Sequence, residues 1–147
     1  MPKILIVYHS RTGNTEKLAK AIAEGAKQGG VEVSLKRYNE ATNEDLLKAD
    51  AILFGSPTYF SLPSAELKSF IDKSVDIYDK LEGKKGAYFT SAGCMENAEQ
   101  TLQAFEWVYS HYGIDVVGKL ACVEKPGKEK IAEARELGRR VAKALLE

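Results

Sequence analysis

The chain has 147 residues, 44% of them hydrophobic, and its 21 Lys and Arg balance its 21 Asp and Glu. That is enough apolar material for the core of one domain, and the balanced charge excludes an overall field that would gather nucleic acid, an anionic membrane surface or a strongly cationic partner. Met1-Pro2-Lys3 runs straight into a short apolar strand, and no segment is long and apolar enough to span a bilayer, so a cytoplasmic protein is expected.

The run Ile4 to Tyr8 is short and continuously apolar, as suits a strand buried on both faces of a parallel sheet. A helix follows, with Asn14 or Thr15 as its cap, Leu18, Ala19, Ile22, Ala23 and Ala26 on one face, and Gly29-Gly30 at its end. Glu32 to Tyr38 alternates apolar and polar residues, as expected near a sheet edge, and Thr42 to Lys48 makes a short helix. Ala51 to Gly55 reads as a third, buried strand. Pro63 then opens a helix that turns Leu67, Phe70 and Ile71 inward. Ala87 to Ser91 is the fourth strand, Ala98 to Tyr112 a helix, Asp115 to Val123 the fifth strand and Lys128 to Leu146 the closing amphipathic helix, whose apolar line is Ile131, Ala134, Leu137, Val141 and Leu145.

Strands that alternate with helices predict an α/β fold, a doubly wound open parallel sheet, because parallel neighbours need right-handed crossovers. Ligands of such sheets gather beyond the carboxyl ends of the strands. The informative loops therefore follow strands one, three and four.

The first of these, Ser10-Arg11-Thr12-Gly13-Asn14-Thr15, puts three hydroxyls, an amide and a glycine between a buried strand and a helix start. Backbone N–H groups at a helix start lack internal partners and carry partial positive charge, and hydroxyls add donors, so the composition suits a phosphate. The plainer alternative is that these polar residues only cap the helix, which needs fewer hydroxyls than are present. The loop has neither the Lys of a Walker motif nor the three glycines of a dinucleotide fingerprint, which favours a mononucleotide phosphate.

The six residues Ser10 to Thr15 resemble the signature of the flavodoxin family, a Ser or Thr, one residue, then Thr-Gly-Asn-Thr after the first strand. Gly55-Ser56-Pro57-Thr58-Tyr59 and Thr90-Ser91-Ala92-Gly93 extend the likeness in the family's order, over essentially the whole chain. The resemblance implies a flavodoxin-like three-layer α-β-α sandwich with five parallel strands ordered 2-1-3-4-5. It also implies FMN, with its phosphate held by Ser10, Arg11, Thr12, Gly13, Asn14 and Thr15. The isoalloxazine ring would lie between Ser56, Pro57, Thr58, Tyr59 and Phe60 on one side and Ser91, Ala92, Gly93 and Cys94 on the other.

A flavin ring offers a large π face for stacking, and Tyr59 is the favoured partner, with Phe60 the neighbouring alternative. Residues Ser91 to Glu96 contain no aromatic, where flavodoxins commonly place a Tyr. Met95 or Cys94 partly covers that face, or it stays open to a quinone or nicotinamide, as in the related NAD(P)H quinone reductases. Ser56 to Pro63 contains no glycine, so a positive φ at Thr58, Tyr59 or Phe60 costs about a kcal/mol or more. This predicts a less stable one-electron-reduced state. The chain is neutral where flavodoxins are typically acidic, although Glu96 and Glu99 form a candidate acidic rim that lowers the potential.

Other residues fit bland roles. His9 reads as a hydrogen-bonded structural histidine, and His111 as a cation late in a helix. Trp107, Tyr109 and Tyr112 fit the core better than a dimer face. Arg11 is equally suited to the phosphate or to water. Cys94 is read as lining, and Cys94 and Cys122 lack the spacing of a zinc site or a disulfide framework. No catalytic residue and no metal ligand is expected. The leading reading is a low-potential FMN electron carrier that exchanges electrons with redox partner proteins, as a monomer or weak homodimer. A small FMN-dependent NAD(P)H:quinone oxidoreductase acting on a small quinone is the alternative. A non-redox signalling domain of the same strand order needs acids where His9, Ser10, Ser56 and Pro57 stand, and is set aside.

Overall fold

The computed structural model describes all 147 residues. Its elements are β1 (Lys3–Tyr8), α1 (Asn14–Gln28), β2 (Glu32–Arg37), α2 (Asn43–Lys48), β3 (Ala51–Tyr59), β4 (Leu62–Pro63), α3 (Ala65–Lys73), β5 (Lys85–Ala92), α4 (Met95–Tyr112), β6 (Asp115–Val123) and α5 (Lys128–Leu146). Short 3-10 turns at Ser74–Asp76 and Tyr78–Lys80 link α3 to β5.

The main sheet is parallel, in the order β2-β1-β3-β5-β6, with β4 attached to β3 as a short antiparallel strand. Leaving out β4, this is the expected order 2-1-3-4-5. Side chains of successive strand residues point to opposite faces. Ile4, Ile6 and Tyr8 therefore join α1 and α5 in one core, while Leu5 and Val7 join α2, α3 and α4 in the other. Both layers exclude water from β1, and each fully buried Ile, Leu or Val stabilises the fold by about 1.5–3 kcal/mol. In the second core Phe54 meets the edges of Phe70 and Tyr109 at centroid distances of 5.9 and 5.4 Å. Tyr109 and Tyr112 are core residues as expected, but Trp107 is 62% exposed.

α1 and α5 pack with backbones nearly touching. A Cβ on Gly25 would lie 1.9 Å from the carbonyl oxygen of Arg135, and one on Gly138 would lie 2.0 Å from that of Ile22. Both positions exclude any side chain, and the contact fixes α1 against the sheet with its N-terminus at the strands' carboxyl ends.

Several boundaries differ from expectation. β3 continues four residues past Gly55 and pairs Ser56 with Thr90 and Pro57 with Ser91. The Gly55 carbonyl accepts from His9 N–H at 3.1 Å, at the end of β1. Two residues on, Pro57 faces the same side, where β1 has ended, so its missing N–H leaves no ladder bond unmade. Pro63 lies in β4 and not in a first helical turn. Ser64 is the cap of α3, its Oγ accepting from Leu67 N–H at 3.2 Å. Asn14 and Thr15 are helical, not caps, because Gly13 occupies that position. Thr42 caps α2, in a capping box with Asp45. α4 begins at Met95, three residues before the expected Ala98, β5 is longer at both ends than Ala87–Ser91, and β2 ends at Arg37 instead of Tyr38.

Candidate functional site

Three loops meet beyond the carboxyl ends of β1, β3 and β5, and paired hydroxyls lock them together. Between β1 and α1, Gly13 takes φ +99, a left-handed conformation that L side chains rarely adopt, and nothing lies within 4 Å of where its Cβ would be. The Ser10 Oγ sits inside the turn and accepts from the N–H groups of Gly13 and Glu16, both at 3.2 Å. Ser10 thus does the capping work expected of Asn14 or Thr15. The backbone N–H groups of Thr12, Asn14 and Thr15 donate to no group of the chain. Three unpaired donors at the positive end of a 15-residue helix, beside an open glycine, fit a phosphate. Arg11 and Thr12 are exposed, and Asn14 is half-buried.

The Thr15 side chain is buried, its hydroxyl 2.7 Å from that of Ser91 at the end of β5. Thr90 donates to the Ser56 carbonyl at 2.7 Å, and the Thr58 hydroxyl lies 2.7 Å from Thr90 Oγ1. With its own hydrogen committed to Ser56, Thr90 accepts from Thr58. Ser56 is fully buried and donates to the Pro57 carbonyl at 2.7 Å. Side chains of Thr15, Ser91, Thr90 and Thr58 therefore brace the loops against each other.

β3 and β4 form a two-residue hairpin in which Tyr59 pairs with Leu62. Phe60 and Ser61 at its tip both have positive φ, 52 and 68. A turn of this kind matches the right-handed twist of a hairpin but favours Asn-Gly, so two side chains are held in a costly conformation. Of Thr58, Tyr59 and Phe60, where a positive φ was expected to be costly, Phe60 adopts one, and so does Ser61 beside it. The Ser61 hydroxyl donates to the side-chain oxygens of Asn97, at 3.4 Å, and Gln100, tying the tip to the first two turns of α4. Phe60 is 98% exposed and packs on nothing, whereas Tyr59 is half-buried. Opposite, Gly93, Cys94, Met95 and Glu96 are exposed with no aromatic among them, and Ala92 is buried at the strand end.

Charge around the first loop is ordered. Tyr8 donates to Glu16 Oε2 at 2.7 Å, and Arg37 donates to the same oxygen at 2.8 Å while lying 5.3 Å from the Tyr8 ring centre. Burial, with the hydrogen bond to Glu16, pushes the Tyr8 phenol up to about 12. The Tyr8 hydrogen bond in turn holds the Glu16 carboxyl below its usual value. His9 is 8% exposed, with Nδ1 2.8 Å from Ser64 Oγ.

The expected loops do come together, but the sequence reading placed Thr90 only within a motif, with no role, and passed over Ser61, Ser64 and the Tyr8-Glu16-Arg37 group. A Ser three residues before the inward Leu67 was a legible capping signal for Ser64. The others become visible only through cross-chain contacts. No group of His, Cys, Asp and Glu is arranged to hold a metal, and no helix is long and apolar enough to cross a membrane.

The model of the flavodoxin domain matches residues 5–120. A flavodoxin from Aquifex aeolicus is 37% identical over 97% of this chain and 86% of its own. An NAD(P)H dehydrogenase (quinone) from Archaeoglobus fulgidus is 35% identical over 97% of this chain and 96% of its own. The solved structure of a flavodoxin from the domain Archaea superposes with a TM-score of 0.90 at 27% identity, over 99% of both chains. On the family match and on relatives similar along nearly its whole length, this chain belongs to the flavodoxin family.

Proposed function

We propose that this protein binds one FMN without a covalent link and works as a low-potential electron carrier between redox partner proteins. The observation that carries the reading is the cradle of three unpaired backbone N–H groups at Thr12, Asn14 and Thr15, next to the two loops suited to a flat ring. In this reading Ser10 holds the turn, and Arg11, Thr12, Gly13, Asn14 and Thr15 surround the phosphate. Tyr59 stacks on the ring with Phe60 beside it. The backbone of Ser56, Pro57, Thr58, Ser91, Ala92, Gly93 and Cys94 lines the ring's polar edge. Bound FMN supplies the redox chemistry, by one or two electrons. The only titratable side chains in the three loops are Arg11, Tyr59 and Cys94, which suits a carrier that moves no substrate proton. We place it in the cytoplasm, where Cys94 and Cys122 stay reduced, as a monomer or weak homodimer.

Reduction of a small quinone is the second reading, favoured by the exposed, aromatic-free stretch from Gly93 to Glu96. Against it, the alignment with the Archaeoglobus relative spans 184 positions, 37 more than this chain's 147 residues. That relative therefore has at least as many residues with no counterpart here, and a substrate pocket on this chain would have to do without them.

Stepwise anaerobic reduction of the FMN-loaded protein separates the two. A carrier passes through a one-electron stage with a long-wavelength absorbance band and is not bleached by NAD(P)H alone. Direct two-electron bleaching, together with rapid oxidation of NADPH when a quinone is added, would establish the reductase. A protein that retains no FMN after gel filtration would overturn both.

A further inference from the structure

Glu16 is the third residue of α1 and the one acid in its first turn. Its backbone N–H donates to Ser10 Oγ inside the phosphate loop, whereas its side chain is drawn elsewhere. Tyr8 and Arg37 are register partners on β1 and β2, so both side chains leave the same face of the sheet, the one that α1 covers. Both donate to the same oxygen, Glu16 Oε2, at 2.7 and 2.8 Å. Lys20, one turn further along α1, lies 3.9 Å from the other oxygen. β2 borders β1 on the side opposite β3 and β5, so the carboxylate is held away from the two loops suited to the ring.

That hold matters because of what a carboxylate at this position does when it is free. An acid at the third helical position reaches back to the unpaired N–H groups of its own helix start, drawn by the positive end of the helix. In α2 the reach is made: Asp45, its third residue, accepts from Thr42 N–H at 2.9 Å. At the start of α1 the unpaired groups are those of Thr12, Asn14 and Thr15, which form the cradle. Glu16 is one methylene longer than Asp45, and the Tyr8 hydrogen bond holds its carboxyl below its usual value, so it is an anion at neutral pH. A released Glu16 would take the donors that suit a phosphate and would meet an arriving phosphate with like charge.

We propose that Arg37, with Tyr8, is a positioning residue that holds the Glu16 carboxylate out of the phosphate cradle. It acts through Glu16 and does not touch the phosphate. The inference rests on the FMN reading above. The guanidinium is fixed for this role by its place over the Tyr8 ring, 5.3 Å from the ring centre. Glu40 accepts from the backbone N–H of Arg37 at 3.0 Å, which leaves the guanidinium to Glu16. The side chains of Arg37 and Glu16 are 42% and 26% exposed, and an ion pair so open to water adds little to stability. Arg37→Gln should therefore leave the fold standing.

The test compares FMN and riboflavin dissociation constants for the wild type, Arg37→Gln, Glu16→Ala and the double variant. Riboflavin carries the ring without the phosphate. Arg37→Gln should weaken FMN by about five- to tenfold, the effect of one charge at a helix start, and leave riboflavin unchanged. In the Glu16→Ala background the same substitution should change FMN affinity by less than about twofold, because the competing carboxylate is gone. An equal FMN loss in both backgrounds would mean that Arg37 attracts the phosphate directly, and a parallel loss of riboflavin would mean that it only supports the fold. Either result overturns the proposal, as does an Arg37→Gln protein with wild-type FMN affinity. NMR of the flavin-free proteins gives a second reading. The amide proton signal of Thr12, Asn14 or Thr15 should move downfield in Arg37→Gln as it meets the carboxylate, and return in the double variant. Unmoved signals overturn the proposal too. That arm needs no flavin, so a wild type that takes up no FMN would sink the FMN reading while the amide signals still decide where the carboxylate goes.

Discussion

The hydroxyls of Thr15 and Ser91 lie 2.7 Å apart in the interior, joining the first turn of α1 to the end of β5. They are 76 residues apart in the chain, and this one bond sets the distance between the loop that suits a phosphate and the loop that suits a ring. Thr15→Val or Ser91→Ala strands the remaining hydroxyl and should cost about 1–3 kcal/mol of stability. The double variant should cost clearly less than the sum of the two. Urea denaturation of all four proteins gives the coupling, and additive losses would mean that the pair contributes nothing as a pair.

Thr12 is exposed and its side chain makes no hydrogen bond within the chain. Thr12→Glu should leave stability within about 0.5 kcal/mol of wild type and abolish FMN binding, because a carboxylate would face the phosphate in the cradle. Tyr59→Ala should weaken FMN by roughly 1 kcal/mol, the scale of one aromatic stack. Fluorescence titration of FMN measures both, and unchanged affinity in both would overturn the site assignment.

The hairpin tip holds Phe60 at φ 52 although its side chain packs on nothing. Phe60→Gly therefore removes a left-handed strain of about 1–2 kcal/mol without losing a contact, offset in part by the entropy of glycine in the unfolded chain. Phe60→Val, β-branched at the same φ, should be the less stable of the two by at least about 1 kcal/mol. Thermal denaturation of the two FMN-free variants compares them directly, and equal stabilities would show that the tip is not strained.

Gly25→Ala puts a methyl group 1.9 Å from the Arg135 carbonyl oxygen, so α1 and α5 must separate. Overpacking of this kind costs about 1–3 kcal/mol, more where the neighbour is backbone. Gly138→Ala should behave alike, and chemical denaturation checks both. A neutral result at either position would mean that the helix pair adjusts freely.

Tyr8, with its phenol pushed up to about 12 by burial and the bond to Glu16, gives the stability curve an alkaline limb. Its folded pKa exceeds the unfolded value of about 10, so its contribution is complete below that pH and declines as the pH rises toward 12. Glu16 works in the opposite direction. Its folded pKa is lowered, so its contribution is present above the ordinary glutamate range and declines on acidification through the folded value. Denaturation midpoints measured against pH should show a flatter alkaline limb in Tyr8→Phe, and an unchanged limb would assign the loss elsewhere.

The alternation of strands and helices was legible because it is written in local periodicity. The apolar run Ile4 to Tyr8 and the stripe of α5 each signal an element without reference to the rest of the chain. The phosphate loop was legible for the same reason, since Ser10 to Thr15 are contiguous and their composition alone suits an anion at a helix start. What the sequence withheld depends on partners far along the chain. Nothing near Pro57 signals that β3 continues through it. That follows from β1 ending at Tyr8 while β5 runs on to Ala92, which leaves the proline facing a side with no ladder to break. Capping by Ser10 instead of Asn14 or Thr15 follows from Gly13 taking φ +99, and the Thr15 hydroxyl is free to meet Ser91 only because Ser10 does that work. Local pattern determined the elements, their order and the loop chemistry. The pairing of Thr15 with Ser91, the tie from Ser61 to α4 and the enclosure of His9 were decided by tertiary structure, because each needs two segments distant in the chain brought together.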